Sequence, residues 1–224
     1  MNVIEASALS CSDCAAANCA KMLKSFPGFC LTKNAAEETV RNVTERYVKN
    51  PEDRKIALVS AELEADYYGA ATRVEEILIF IKKMDYRKVG LATCAGLLGE
   101  CGKFAKAAKA KGIEVYGVVC KIGALDKTVI GLEEDQKISP GSHESMCNPI
   151  LQAELLNEQK TDFNIIIGLC VGHDSLFIKY SKAPVSCLIV KDRVLCHNPA
   201  ASLYGMNSYY KRLLEPGLPE PRKK

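Results

Sequence analysis

No segment of the chain holds the roughly 18 uninterrupted apolar residues that a membrane-spanning helix needs, so none is predicted. The stretch from Met1 to Ser10 has no positive region and only isolated apolar residues, so it does not read as a secretion signal. A dense Lys/Arg stripe is also missing, and the net charge is only +3. The short run Arg222-Lys223-Lys224 reads as a solvated terminus rather than a nucleic-acid contact. There is no internal repeat at a fixed period, and no G-x-G-x-x-G, which leaves dinucleotide binding with little support. These absences argue against a membrane protein, a nucleic-acid binder and a solenoid. What remains is ordinary globular composition, 48% hydrophobic and 25% charged, over 224 residues. That is enough for one large domain or one domain plus an appendage. A cytosolic location is expected, where thiols stay reduced.

Cysteine is the anomaly, with 11 in the chain. In a reducing compartment that number points to metal binding or thiol chemistry rather than disulfides. The first group is Cys11, Cys14, Cys19 and Cys30. Two residues between Cys11 and Cys14 let the chain turn around one tetrahedral ion, and Cys19 and Cys30 complete a four-thiolate set. The expected metal is zinc or an iron–sulfur cluster, although the spacing is not that of a common ferredoxin run. A thioredoxin-like redox pair is the alternative, but no strand precedes Cys11. Reduced, unliganded thiols are the plain alternative. Residues 1–33 are too short and too poor in apolar side chains to make a core, so bound metal would help this segment fold.

A helical region follows. Asn34, with Glu37 three residues on, matches a capping box, and Val40, Val43 and Tyr47 continue with helical spacing. Further helices are predicted from Pro51 to Tyr68 and from Ala71 to Met84. The rhythm then changes to strand and helix in alternation. Strands are expected at 88–94, 113–120, 163–170 and 185–190, with helices at 95–111, 149–159 and 172–180 between them. A hairpin return is expected at Val194 to Cys196. Such alternation predicts an α/β fold, a mostly parallel Rossmann-like sheet with flanking helices. The expected organisation is a metal-binding segment at 1–33, one compact unit at 34–215 and an extended tail at 216–224.

On that reading Cys94, Cys120 and Cys170 each end a strand. In a parallel sheet those ends share one edge, where open α/β folds place their ligands. The long connection 121–146 is able to bring Cys147 to the same edge. The set Cys94, Cys120, Cys147 and Cys170 is therefore a candidate cofactor site, or a group of redox-active thiols. Small buried core cysteines are the plain alternative. His173 and Asp174, just past Cys170, are candidate acid–base residues. His173 reads equally as a surface residue capping a helix. Cys196-His197 raises the same two options, while Cys101 and Cys187 read as core packing. Glu100 stands where a tyrosine-phosphatase signature would need arginine, which excludes that chemistry.

Three segments carry a family resemblance: Cys147-Asn-Pro-Ile-Leu-Gln-Ala-Glu-Leu-Leu-Asn157, Gly168-Leu-Cys-Val-Gly-His-Asp-Ser-Leu-Phe177 and Lys191-Asp-Arg-Val-Leu-Cys-His-Asn-Pro-Ala-Ala-Ser-Leu-Tyr204. With the N-terminal Cys-x-x-Cys, the chain resembles an uncharacterised prokaryotic family, domain of unknown function 1847, described as metal-binding. The resemblance covers essentially the whole chain. It implies a cysteine-dependent metal site, with Cys11, Cys14, Cys120, Cys147, Cys170 and His173 as motif positions, and supplies no reaction. Cys187 and Cys196 fall where the family is expected to vary. The expected function is a cysteine-dependent zinc or iron–sulfur protein. The alternative is a redox or metal-dependent enzyme working at the sheet edge. Its partners would be a metal ion and a small-molecule substrate or redox partner.

Overall fold

The structure is a computed structural model, described over residues 9–23 and 25–218. The leader reading of Met1 to Ala8 and the basic run Arg222–Lys224 lie outside the described residues. The chain divides into two compact units, one ending at Ala61 and the other beginning at Glu62.

The first unit holds two short 3-10 turns and the helices α1 (Leu31–Asn34) and α2 (Glu37–Lys49). It also holds most of α3 (Pro51–Tyr67). Asn34 does not cap α2 as the spacing suggested. It ends α1, where its side-chain amide donates to the carbonyls of Gly28 (2.7 Å) and Cys30 (3.0 Å). Ala36 stands at the N-cap of α2, and Glu37 and Glu38 in its first turn meet the positive end of the helix dipole. Asn50 performs the capping role one helix later. Its Oδ1 accepts from the N–H groups of Glu52 and Asp53, and Pro51 occupies the first turn, where no N–H is needed.

The second unit is an α/β fold. Its elements run α4 (Arg73–Met84), β1 (Lys88–Thr93), α5 (Leu98–Ala110), β2 (Glu114–Val119), α6 (Pro149–Glu158), β3 (Phe163–Ile167), α7 (His173–Tyr180), β4 (Val185–Ile189) and α8 (Ala200–Tyr204). Thr72 and Glu75 form the capping box of α4. All strand pairs are parallel, in the order β2-β1-β3-β4. Alternation along β1 and β3 feeds two cores. Val89, Leu91, Phe163, Ile165 and Ile167 pack with α4 and α5 on one face. Ala92 and Ile166 pack with α6 and α7 on the other. Burial on both faces explains why β3 is apolar at every position but Asn164.

Two polar side chains fix the inner layer. Gln152 of α6, fully buried, donates from Nε2 to the carbonyls of Thr93 (3.2 Å) and Val118 (2.7 Å), tying β1 to β2 at their C-terminal ends. Asn164 of β3 accepts from the Thr161 hydroxyl and donates to Ser181 Oγ, both at 2.8 Å. Gly90 leaves the room Asn164 needs, since a Cβ there would lie 2.1 Å from Asn164 Oδ1.

From β1 the chain steps outward to β2, then crosses back to place β3 on the other side of β1. The two crossover helices α5 and α6 therefore cover opposite faces. Between the C-terminal ends of β1 and β3 lies the switch point at which open α/β sheets bind ligands.

Candidate functional site

The strands stop earlier than the sequence suggests, by one residue at Cys94 and Cys120 and by three at Cys170. Hydrogen bonds nevertheless continue past β1 and β2. The Cys94 N–H donates to Ile167 O (3.2 Å), and the Cys120 N–H to Thr93 O (2.8 Å). Gly168 then turns the chain at φ +75°, and a Cβ on it would strike Leu97 Cδ1 at 2.7 Å, so glycine is required there.

Cys147 reaches the same edge. Residues 121–146 fold back on themselves through a bridge between Asp126 and Ser145. Lys137, 2% exposed, bonds Asp126 (2.9 Å) and Glu134 (2.6 Å), and Asp126 also accepts from the N–H groups of Thr128 and Glu144. Those donors hold the Asp126 carboxyl well below the usual range. The returning chain is stitched to the strand end by the Asn148 N–H, which donates to Cys120 O (2.7 Å). Asn148 then caps α6, accepting from the Leu151 N–H, with Pro149 in the first turn.

This closure sets Cys147 Sγ 3.8 Å from Cys120 Sγ. Cys120 is buried and Cys147 half-buried. The contact with Cys120 pulls the Cys147 thiol down to about 5 against its burial, helped by the charges of Lys121 and His173. Cys120 moves the other way, raised by the same contact with Cys147 and by its desolvation. The Ala95 N–H, donating to Cys120 Sγ at 3.4 Å, partly offsets this.

Cationic side chains surround the thiols. Lys191 Nζ lies 3.4 Å from Cys94 Sγ, and Arg193 Nη2 lies 3.0 Å from Cys170 Sγ. The Lys121 ammonium donates to Ser145 O beside Cys147. The sequence reading missed these three. Their signal was position, since Lys121 directly follows a strand-end cysteine and Lys191 and Arg193 follow β4.

The remaining candidates separate. His173 begins α7, its N–H on Cys170 O, close enough to Cys147 to act on it. Asp174 accepts from the Ser175 N–H and acts instead on Cys187, whose thiol is raised chiefly by burial. The predicted return strand Val194–Cys196 is not a strand. Residues 192–197 form a turn, closed by the Asp192 N–H donating to His197 Nδ1 (3.1 Å), with Cys196 and His197 at positive φ. A parallel β4 would need a reversal into antiparallel pairing, and the turn bonds take up the backbone groups instead. Cys101 is buried in the α5 core as expected. Cys11 and Cys14 close one 3-10 turn, Cys19 lies in the next, and Cys30 precedes α1. All four are free thiols, with Cys11 and Cys19 exposed. Among the described residues, no three or more His, Cys, Asp or Glu side chains are grouped so as to hold a metal ion.

Residues 30–188 match a family model described as a protein of unknown function, DUF1847. The chain belongs to this family. It is also 51% identical over 183 residues to a Methanocaldococcus jannaschii protein described as uncharacterised, covering 82% of this chain and 92% of that one. The span matched by the family model takes in Cys94, Cys120, Cys147 and Cys170. It begins after Cys11, Cys14 and Cys19 and ends before Lys191 and Arg193. Among the described residues, no helix is long and apolar enough to cross a membrane.

Proposed function

We propose that the sheet edge is a dithiol centre that reduces a disulfide-bonded substrate, with Cys147 as the attacking thiol and Cys120 as its resolving partner. The observation that carries this reading is the approach of the two sulfurs, 3.8 Å apart at the strand ends. The Cys147 thiolate attacks one sulfur of a substrate disulfide. The substrate S–S bond breaks, a mixed disulfide with Cys147 forms, and one substrate thiolate leaves. Cys120 then passes its proton to the substrate thiolate that has left and attacks the Cys147 sulfur. The second substrate thiolate leaves, and a Cys120–Cys147 disulfide remains. The substrate disulfide gains the two electrons that the protein dithiol loses. His173 and Lys121 favour the thiolate through their charge. A cytosolic setting, which keeps the dithiol reduced, belongs to the same reading.

The test is mass spectrometry of the reduced full chain after exposure to a neutral aromatic disulfide. The expected result is a Cys120–Cys147 crosslinked peptide from the wild type. Cys120→Ser should instead trap a stable adduct on Cys147, and Cys147→Ser should give neither product. Independent labelling of the two cysteines with no crosslink would overturn the reading.

A second reading, a metal centre, is favoured by the same separation. Two thiolates at about 2.3 Å from one tetrahedral ion stand about 3.8 Å apart. The residues fit as a two-thiolate bite and not as a closed four-ligand cage. A zinc ion or iron–sulfur cluster held by Cys120 and Cys147 is therefore the companion proposal; the wider set with Cys94 and Cys170, and the N-terminal set Cys11, Cys14, Cys19 and Cys30, rest on sequence spacing alone. Elemental analysis and the absorbance of anaerobically purified protein decide it. Metal at a stoichiometric level that is lost in Cys147→Ser would displace the dithiol reading. Loss only in Cys11→Ser would assign metal to the N-terminal set.

A further inference from the structure

We infer that the dithiol centre takes an anionic substrate, held by Lys191 and Arg193 at the mouth of the sheet edge; this rests on the dithiol reading above. The two cations stand on the turn after β4, on the β3 side of the switch point. Their near contacts are thiol sulfurs, Cys94 for Lys191 and Cys170 for Arg193. Among the described residues, neither they nor Lys121 pairs with a carboxylate. That contrasts with Lys83, Lys127 and Lys137, which sit on acidic partners.

The nearby carboxylates are engaged elsewhere. Asp192 lies between the two cations in sequence, yet its Oδ1 accepts from the N–H groups of Val194 and Leu195. Asp174 accepts from the Ser175 N–H. The turn is thus built so that Asp192 holds the backbone and leaves the flanking cations facing sulfur. Sulfur is a weak acceptor, and its hydrogen bond falls short of the charge-assisted bonds that a guanidinium or an ammonium makes to a carboxylate or sulfonate. An incoming anion therefore displaces the weaker partner. It then lies beside Cys94 and Cys170, at the edge that also carries Cys147. Lys191 is placed over the 95–97 turn, since a Cβ on Gly96 would come 3.3 Å from its Nζ. The ligand class is a disulfide carrying a carboxylate or sulfonate near the reacting sulfur.

The experiment compares initial rates of the reduced full chain with three disulfides: anionic dithiobis(nitrobenzoate), neutral dithiodipyridine and cationic cystamine. Each rate is divided by that of a free small thiol. The wild type should favour the anionic probe over the neutral one by about tenfold, and rising salt should erase that margin. The double variant Lys191→Gln, Arg193→Gln should lose the anionic-over-neutral margin. The charge-keeping pair Lys191→Arg, Arg193→Lys should retain most of it. An equal loss with both probes would mean that the cations merely support the thiolates, and would overturn the anion site. Formation of the Cys120–Cys147 crosslink with all three probes at free-thiol ranking would overturn the anion site alone. No crosslink with any probe would overturn the dithiol reading, and the anion site with it.

Discussion

The depressed Cys147 thiol makes a prediction about the shape of a pH profile. With its pKa near 5, about nine-tenths of Cys147 is thiolate at pH 6, whereas an ordinary cysteine of pKa about 8.5 is well under one per cent. A less basic thiolate is also a poorer nucleophile. With a Brønsted slope of about 0.45, the difference in pKa costs roughly fortyfold in intrinsic reactivity. Multiplying the two effects, Cys147 should alkylate roughly tenfold faster than an ordinary thiol at pH 6. The advantage should vanish near about pH 7, and the order should reverse above it. Half-burial scales the whole profile without moving its midpoint. The assay is iodoacetamide alkylation of metal-free, reduced protein from pH 4 to 9. Cys147 is quantified by peptide mass spectrometry, with N-acetylcysteine as internal competitor. The Cys147 rate should level off by about pH 6.5, whereas the competitor keeps climbing past pH 8. Cys120→Ala removes the first cause of the depression and should move the Cys147 midpoint upward. A wild-type midpoint that tracks the competitor would refute the reasoning.

Gly90→Ala should destabilise the second unit by about 2–4 kcal/mol in urea melts, because its Cβ would overlap Asn164 Oδ1 and Leu156 Cδ1 in a core with no slack. Gln152→Leu keeps the volume but removes the two donors to Thr93 O and Val118 O, and should cost about 1–3 kcal/mol by the same assay. In the 121–146 connection, Asp126 has a depressed pKa, so its contribution is present above the ordinary carboxylate range and is lost as pH falls through and below it. The protection of residues 126–145 against amide exchange, measured relative to the intrinsic rate at each pH, should therefore fall in acid. Lys137→Met should produce the same loss of protection at pH 7 while the sheet stays protected.

The α/β class was legible because burial writes itself into side-chain pattern. The apolar run of β3, broken only by Asn164, and the stripe Ile77, Leu78, Ile81 of α4 each mark what they pack against. Parallel topology alone put Cys94 and Cys120 just past neighbouring strand ends, whereas Cys170 lies three residues beyond β3, after the Gly168 turn. Cys147 was placed by a different kind of cause. Its position depends on a polar loop held by Lys137, Asp126 and the Asn148–Cys120 backbone bond, and ion pairs across such distances leave no periodic trace. The same limit hid Lys191 and Arg193, which as single residues look like any solvated lysine or arginine. Asn34 shows the error in the other direction. A short polar side chain before a helical run satisfies a capping pattern, yet a proximal carbonyl, here Gly28 O, competes for it.

The contact between Cys120 and Cys147 spans 27 positions of chain. A covalent bond between them would tie the whole 121–146 excursion into a closed ring, removing open conformations from the unfolded chain. On the chain-entropy account such a ring is worth about 3.5 kcal/mol. Turnover would then alternate the molecule between a heat-resistant oxidised form and a looser reduced one. The melting temperature itself would report the electron count of the sheet edge.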